Sequence, residues 1–392
     1  MSFLKFRASQ LFTGRQMLSN DHVLITDAKG QVSGIVRMEE AGDDVQVLEG
    51  VLSPGFINCH CHLELSHMKG LIPEQTGLVD FVFKVVMERH HPEETIQSSI
   101  AYWEARMKEN GIVAVGDICN NLTTLAPKSS SDISYYNFIE VSGWLPALAR
   151  ERFERSKSFY DAFEKISNDT IRNAIVPHAP YSVSGELWEL IEPCFEGKTI
   201  SIHNQETAFE DELFSSGTGG FTRMYDMMKL DRSFFKPTGK SSLQSYLHRL
   251  ARAGQVILVH NTYTQEDDIR YAQNTLPNIN WCLCVNANRF IENALPPVDT
   301  FRKNNARMVI GTDSLASNHS LSVLDELKTI HLHFASVPLE EMLTWATLNG
   351  ARALQMEERL GSFEKGKTPG VILLQQTNGD IICDSTTITR IL

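Results

Sequence analysis

The segment LSPGFINCHCHLE, residues 52–64, begins as an apolar run and ends with two histidines that are separated by one residue. Continuous apolar runs of this length are typical of strands that are buried on both faces. On an extended chain the side chains of His60 and His62 point to one side and that of Cys61 points to the other. The segment therefore predicts a buried strand that presents two imidazoles at its carboxyl end.

Seven further strand candidates follow, separated by longer segments of helical periodicity. With 52–60 as the first, the candidates continue at 111–118, 133–141, 171–179, 198–204, 254–260, 279–285 and 306–313. Eight strand–helix units predict an α/β fold, a distorted (β/α)8 barrel of the TIM type over residues 52–359. The short alternating runs of 1–51 and 360–392 are typical of strands joined by turns. We expect both termini to form one small composite β-sandwich domain beside the barrel.

The bulk composition narrows the class of protein. The 392 residues carry a formal net charge of −12 and have no basic run, which argues against a nucleic-acid partner. No stretch of about 18 apolar residues occurs, and no signal-like segment begins the chain, so we expect no membrane partner. Seven cysteines without small-domain spacing fit reduced thiols in a cytoplasm. Self-association into a homo-oligomer is left open.

Polar side chains end several of the predicted strands, where TIM-type barrels place their active sites. These strand-end residues are His60, His62, His178, His203, His260 and Asp313. His203 adds a third nitrogen to the first pair, and Asp313 adds a carboxylate. Such a set suits Zn²⁺, or alternatively Fe²⁺, with an open position for water. A chance collection of packing histidines is the weaker interpretation.

Three further residues are placed to assist a metal site. Glu206 leaves the fifth strand three residues after His203, in position for acid–base chemistry, although a solvated helix start is the common alternative. His260 is expected to polarise water or stabilise an oxyanion, with a core histidine as the alternative. His178 lies between two prolines, and the spacing fits either a rigid contact to the substrate or a structural loop.

Two residues after the seventh strand are predicted to touch substrate. Asn288 and Arg289 are adjacent, and Arg289 is suited to a substrate carboxylate. A surface ion pair is an equally good interpretation of Arg289.

Together these motifs resemble the amidohydrolase superfamily over essentially the whole chain. The resemblance rests on PGFINCHCHLE (54–64), HAPYSVS (178–184), HNQE (203–206), LVHN (258–261), CVNANR (284–289) and GTDSLASNHSL (311–321). It is to the mononuclear aminohydrolase branch, which includes adenosine-type, S-adenosylhomocysteine, guanine and aminodeoxyfutalosine deaminases and chlorotriazine hydrolases. The aminodeoxyfutalosine-deaminase-like members look most similar.

The resemblance implies a role for each matched residue. It implies that one metal is bound by four ligands, which are His60, His62, His203 and Asp313. It further implies proton transfer by Glu206, and polarisation of water or substrate by His260. The fourth strand ends in Pro177-His178 and offers no lysine of the kind that binuclear relatives carboxylate, so a single ion is expected.

The chain departs at two positions from the members of this branch that are similar to S-adenosylhomocysteine deaminase. Relatives similar to S-adenosylhomocysteine deaminase tend to have an arginine near the end of the third strand, where this chain has Glu140. They also tend to have a ribose-binding carboxylate where the register gives His90, with Glu88 nearby. Both departures count against a plain adenosine-type substrate, and Glu140 becomes a predicted substrate contact.

The expected activity is hydrolytic release of ammonia from an amino-substituted heterocycle. An aminopurine nucleoside or an aminodeoxyfutalosine-like compound is the expected substrate. The same site chemistry could instead remove chloride from a chloro-heterocycle or open a cyclic amide. A non-catalytic scaffold that keeps its metal for folding is the alternative of a different class, and the presence of Glu206 and His260 counts against it.

Overall fold

The computed structural model describes residues 3–377, 379 and 381–392. Its strands are β1 (Phe3–Arg7), β2 (Gln10–Phe12), β3 (Met17–Leu18), β4 (His22–Asp27), β5 (Val32–Arg37), β6 (Gln46–Val47), β7 (Val51–Pro54), β8 (Phe56–Cys61), β9 (Ile112–Cys119), β10 (Ser134–Val141), β11 (Ile171–Pro177), β12 (Thr199–Asn204), β13 (Gln255–His260), β14 (Ile279–Leu283), β15 (Met308–Ile310), β16 (Val371–Gln375) and β17 (Thr387–Arg390).

The helices lie mainly between the strands of the central region. They are α1 (Leu78–Glu88), α2 (Glu93–Glu109), α3 (Leu125–Ser129), α4 (Ala149–Glu164), α5 (Gly185–Ile191), α6 (Ala208–Ser216), α7 (Gly220–Met227), α8 (Ser242–Tyr246), α9 (Glu266–Thr275), α10 (Val285–Glu292), α11 (Val298–Lys303), α12 (Val323–His333), α13 (Leu339–Thr344) and α14 (Gly350–Ala353). No helix in the described part of the chain is long and apolar enough to cross a membrane.

Eight parallel strands form the centre of the molecule in chain order. β8 to β11 make one four-stranded sheet and β12 to β15 make another. The two sheets meet where the His203 amide donates to the His178 carbonyl, and a parallel bridge joins Cys61 to Asp313 at the other side. Strands β8 to β10 are buried along their whole length, as the continuous apolar runs predicted. The predicted distorted barrel of the TIM type is confirmed.

The two ends of the chain share sheets beside this barrel. β16 pairs antiparallel with β7 and with β17, and β2 pairs parallel with β7. A second sheet has the order β5-β4-β1-β6. A separate apolar cluster lies between these strands and includes Phe6, Leu52 and Leu373. The domain limits at residues 51 and 360 stay a prediction.

The predicted first strand is interrupted in the structure. Residues 52–60 were expected to form one strand, but Val51–Pro54 joins the terminal sheet and Phe56–Cys61 joins the barrel. Gly55 lies between them, where a Cβ atom would be 2.3 Å from Cγ1 of Val113. Because the chain leaves one sheet and enters another at a close approach, a glycine is required at this junction.

Candidate active site

Side chains at the carboxyl ends of four strands, β8, β12, β13 and β15, converge. The Nε2 atoms of His60 and His62 are 3.2 Å apart. Oδ1 of Asp313 lies 3.5 Å from Nε2 of His60 and 3.3 Å from Nε2 of His62. The donor atoms of His60, His203, His260 and Asp313 lie within 4.8 Å of one another. The structure therefore brings together all four predicted metal ligands.

The spacing of these atoms fits a coordination sphere. Zinc–ligand bonds of about 2.0–2.1 Å in a tetrahedron place neighbouring ligand atoms about 3.4 Å apart. The three measured separations among His60, His62 and Asp313 are 3.2, 3.3 and 3.5 Å. Imidazole nitrogens with one carboxylate form a donor set that suits Zn²⁺ or Fe²⁺. The residues present therefore fit one divalent metal ion.

Neighbouring groups orient two of the ligands. Nδ1 of His203 lies 2.8 Å from the backbone oxygen of His178, to which it can only donate, so Nε2 is the nitrogen left free for a metal. The Ser317 hydroxyl donates to Oδ2 of Asp313, which leaves Oδ1 facing the histidines. Both contacts fix ligand geometry before any ion arrives.

Burial sets the charge of the cluster. It lowers the pKa of His60 and His62, and it lowers that of His203 further with help from the neighbouring imidazoles. Burial opposes ionisation of Asp313 as well, but a hydrogen bond from His60 and the surrounding imidazoles outweigh it and hold its pKa well below the usual range. Neutral imidazoles with an ionised carboxylate are the forms that bind a metal cation.

Glu206 follows β12 and lies beside this cluster. Its side chain is buried, with Oε1 3.6 Å from Nε2 of His260. Burial raises the pKa of Glu206 well above its ordinary value, and the negative charges of Asp313 and Glu292 add to the shift. The shift favours the protonated form of the carboxyl group, which is the form that a general acid needs.

Asn288 defines which nitrogen of His260 is protonated. Its side-chain amide donates to the backbone oxygen of His260 at 3.1 Å, so its Oδ1 faces Nδ1 of the ring at 2.8 Å. Nδ1 consequently carries the proton and Nε2 is left as an acceptor. Because a bare Nε2 accepts hydrogen bonds, this tautomer suits polarisation of water better than stabilisation of an oxyanion.

Several site residues have left-handed backbone conformations. His260 has φ of 73° and Asp313 has φ of 58°, while Gln205, directly before Glu206, has φ of 45°. Such angles are uncommon for residues other than glycine and cost about 1–3 kcal/mol each. These backbone bends lie at or just after the ends of β12, β13 and β15, next to the side chains that form the site.

A cavity of about 400 Å³ opens over the cluster. Its base includes His62, His203, Glu206, His260 and Asp313, and its wall includes Glu140 and His178. Helices α1 and α7 and the loop after β10 provide an apolar side, with residues such as Phe81, Val85, Trp144, Met224 and Tyr225. The indole of Trp144 stacks on Tyr225 at 4.1 Å between ring centres. An apolar, partly aromatic lining with polar groups at one end is typical of small-molecule cavities.

A second cavity of about 450 Å³ adjoins the first. The two share Glu64, Leu65, Arg89, Asn120, Glu140, Ser142 and Arg152. The far part of the second cavity is polar and contains His67, His90 and Arg155. The space over the metal-binding cluster therefore has an apolar branch and a polar branch.

The predicted substrate contacts differ in where they lie. Glu140 and His178 line the cavity over the cluster, as expected of residues that touch a ligand. Asn288 is 1% exposed and engages His260 instead. Arg289 is exposed on α10 and is not among the residues that line either cavity.

Sequence reasoning did not single out Glu64, Asn120, Arg152 or Trp144 as site residues. Glu64 follows His62 by two positions. Its place in the site was predictable, because the loop after a strand that carries predicted metal ligands lines the mouth of the barrel. Arg152 and Trp144 lie on and before α4, and only the folded arrangement shows that they face the cavity.

Comparison with known proteins identifies the class. The amidohydrolase family model matches residues 51–390, so the chain belongs to the amidohydrolase family. The resemblance predicted from the strand-end motifs is confirmed.

Individual relatives are similar over most of their length. An adenosine deaminase of Helicobacter pylori is 25% identical over 323 residues, which cover 81% of this chain and 77% of that protein. The structure of H. pylori aminofutalosine deaminase in complex with methylthio-coformycin has a TM-score of 0.80 at 22% identity, covering 95% of this chain and 92% of that one. A zinc-bound adenosine deaminase from Xanthomonas campestris has a TM-score of 0.74 at 20% identity, covering 96% and 85%.

Proposed function

We propose that this protein is a metal-dependent aminohydrolase that releases ammonia from an amino-substituted heterocycle. The substrate is an aminopurine nucleoside or an aminodeoxyfutalosine-like compound. The observation that carries the proposal is the buried Glu206 carboxyl group, 3.6 Å from Nε2 of His260 and beside the proposed metal ligands, in the lining of a cavity of about 400 Å³. Its raised pKa supports the same role. The deaminase names of similar proteins support the same activity.

One divalent ion is held by His60, His62, His203 and Asp313 in this proposal. Zn²⁺ is the first choice because a similar structure binds zinc, and Fe²⁺ is the alternative that metal analysis would detect. When bound, the metal lowers the pKa of water and so supplies a nucleophile near neutral pH.

Three residues around the ion carry out or assist the proton transfers. Asp313 accepts the proton that the attacking water loses, and the bare Nε2 of His260 orients that water by accepting a hydrogen bond. Glu206 donates its proton to the ring nitrogen next to the carbon under attack. The water oxygen forms a bond to this carbon, and Asp313 passes the proton that it accepted to the amino group. The carbon–nitrogen bond then breaks, ammonia leaves, and the proton of the added hydroxyl returns to Glu206 as the carbonyl forms.

In this proposal, His178 and Glu140 contact the substrate from the wall of the cavity. The cysteines of the described residues are free thiols, which supports a cytoplasmic location.

The Glu206→Gln variant tests the assignment. We expect it to bind metal as the wild type does and to lose about 10²- to 10⁴-fold in ammonia release, because an amide cannot donate the proton. Wild-type turnover should also fall as the pH rises through the elevated pKa of Glu206, where the carboxyl group loses that proton. Ammonia is measured across aminopurine nucleosides, guanine, cytosine and carboxybenzoyl-bearing analogues, with bound metal quantified in parallel.

A matched control is Glu186→Gln. Glu186 is exposed at the start of α5, whereas Glu206 is buried, so the same substitution is made at an exposed site. Near-wild-type ammonia release by Glu206→Gln would overturn its role. Release of chloride from chloro-heterocycles without any ammonia would favour the dehalogenating alternative. A metal-loaded protein with neither activity would favour the scaffold.

A further inference from the structure

The Glu140 carboxylate stands in the wall that the two cavities share, and one of its oxygens is unused. The side chain is 6% exposed, and Oε2 accepts a hydrogen bond from Nδ2 of Asn120 at 3.0 Å. Oε1 is buried and has no hydrogen-bond partner among the described residues. A buried acceptor without a partner is costly, so a ligand that donates to it is favoured.

Hydrogen bonds hold both the side chain and the backbone of Glu140. The Asn120 backbone amide donates to Oε2 of Glu64 at 3.0 Å, which fixes the residue that in turn holds Glu140. The Ser156 hydroxyl donates to the backbone oxygen of Glu140 at 3.1 Å. Asn120 thus holds the carboxylate through Oε2 and Ser156 holds the backbone, as supporting residues do for a recognition group.

An unpaired cation belongs to the same wall. Arg152 lines both cavities, and its Nε is buried without a hydrogen-bond partner in the described part of the chain. The ion pairs of the described residues do not include one between Arg152 and Glu140. Two groups of opposite charge thus share a cavity wall without neutralising each other, and a ligand that donates to one and accepts from the other would satisfy both.

A second metal ion is the competing explanation for the free oxygen, since Glu140, His178 and His203 have donor atoms within 4.8 Å of one another. The tautomer of His203 argues against it. Oε1 of Glu140 is 3.8 Å from Nδ1 of His203, and that nitrogen bears the proton given to the His178 carbonyl. A protonated nitrogen cannot ligate a metal, so Nδ1 of His203 does not join Oε1 in a second metal site.

We propose that Glu140 is a specificity-determining residue that recognises an O–H or N–H donor on the substituent attached to the reacting heterocycle. Arg152 binds an acceptor atom of the same substituent. The substrate therefore carries a substituent with a hydroxyl or amino group, which lies against the wall that the two cavities share. This inference rests on the proposed function, because it takes the ring to lie over the metal-binding cluster.

The experiment compares nucleosides that differ by one donor group. The metal-loaded full chain and its Glu140→Gln variant are assayed with adenosine, 2′-deoxyadenosine, 3′-deoxyadenosine, 5′-deoxyadenosine and 5′-amino-5′-deoxyadenosine. Wild-type kcat/KM should fall at least about 10-fold for the analogue that lacks the recognised donor, as a lost hydrogen bond to a charged group predicts. In Glu140→Gln the same ratio should shrink to about 2-fold or less. The 5′-amino compound distinguishes an ammonium from a hydroxyl, and Glu186→Gln should keep the wild-type ratios.

A binding measurement separates this inference from the deaminase proposal. Trp144 lines the cavity, so quenching of tryptophan fluorescence reports binding of each analogue without turnover. Absence of ammonia together with donor-dependent binding that Glu140→Gln abolishes would contradict the deaminase activity and support recognition by Glu140. Equal behaviour of wild type and Glu140→Gln across the series, in turnover and in binding, overturns the inference.

Discussion

At the scale of single residues, Asn288 decides how His260 is presented. It accepts from Nδ1 of the ring and donates to the backbone of the same residue. We expect Asn288→Ala to lower kcat by about 10- to 100-fold with unchanged metal content, as loss of an orienting partner does around metal sites. Asn288→Asp keeps an acceptor for Nδ1–H and should recover part of the rate. Steady-state kinetics with metal analysis checks this, and equal rates for Ala and wild type would contradict it.

The residues that were predictable from sequence are those fixed by local spacing. His60 and His62 share a side of one strand, and His203 and Asp313 end later strands, so parallel strand order alone brings them together. The role of Asn288 was not predictable, because its target lies 28 positions away. Arg289 was expected near substrate as well, but α10 turns it to the exposed face. Helical rotation places neighbours about 100° apart, and the sequence does not say which one faces inward.

At the scale of elements, a buried ion pair ties α3 to β9 and to the loop that follows the metal-binding strand. Lys128 contacts Asp117, and both side chains are fully buried. The other oxygen of Asp117 accepts from the Leu63 amide at 2.8 Å, directly after His62. The pair therefore supports the backbone next to His62, a proposed metal ligand.

Removing the cation should destabilise the protein strongly. We expect Lys128→Met to lower the free energy of unfolding by about 3–5 kcal/mol, because it leaves Asp117 charged and buried without its partner. The matched control is Lys157→Met, since Lys157 and Asp161 form an exposed pair one turn apart on α4 that is worth less than about 1 kcal/mol. Urea unfolding measures the free energy of unfolding of both variants. Equal decreases would show that burial does not make the Lys128–Asp117 pair contribute more than the exposed pair.

The type of a secondary-structure element was predictable from the sequence more often than the residues at which it begins and ends. The periodicity of ELWELIEPCF predicts a helix over 186–195, and the structure has α5 up to Ile191, followed by a 3-10 turn over Glu192–Phe195. Pro193 lies in that turn, and its ring disfavours an α-helical hydrogen bond. The periodicity of LSVLDELKTIHLHF predicts a helix over 321–334. In the structure this helix is α12, Val323–His333, and it begins after Ser322, whose hydroxyl accepts from the Asp325 amide. Such ends depend on caps that periodicity alone does not locate.

At the scale of the whole molecule, a single junction joins the terminal sheets to the barrel. Gly55 separates β7 from β8, and its amide donates to the Pro369 carbonyl at 3.0 Å. The alternating runs of both termini predicted strands, but the pairing of β7 with β16 joins residues about 320 positions apart. Register at that distance follows from which apolar faces meet, and the sequence does not encode it locally.

This junction yields a test of whether the two parts of the fold depend on each other. A Cβ atom on Gly55 would lie 2.3 Å from Val113 Cγ1 and 2.9 Å from the Pro369 oxygen, whereas one on Gly34 of β5 would meet nothing within 4 Å. We expect Gly55→Ala to cost about 1–3 kcal/mol and Gly34→Ala to be nearly neutral. All five tryptophans lie between Trp103 and Trp345, so their fluorescence reports unfolding of the barrel. If the terminal sheets support the barrel, Gly55→Ala lowers the midpoint of that transition, and an unchanged midpoint would show that the barrel is stable without a well-packed junction.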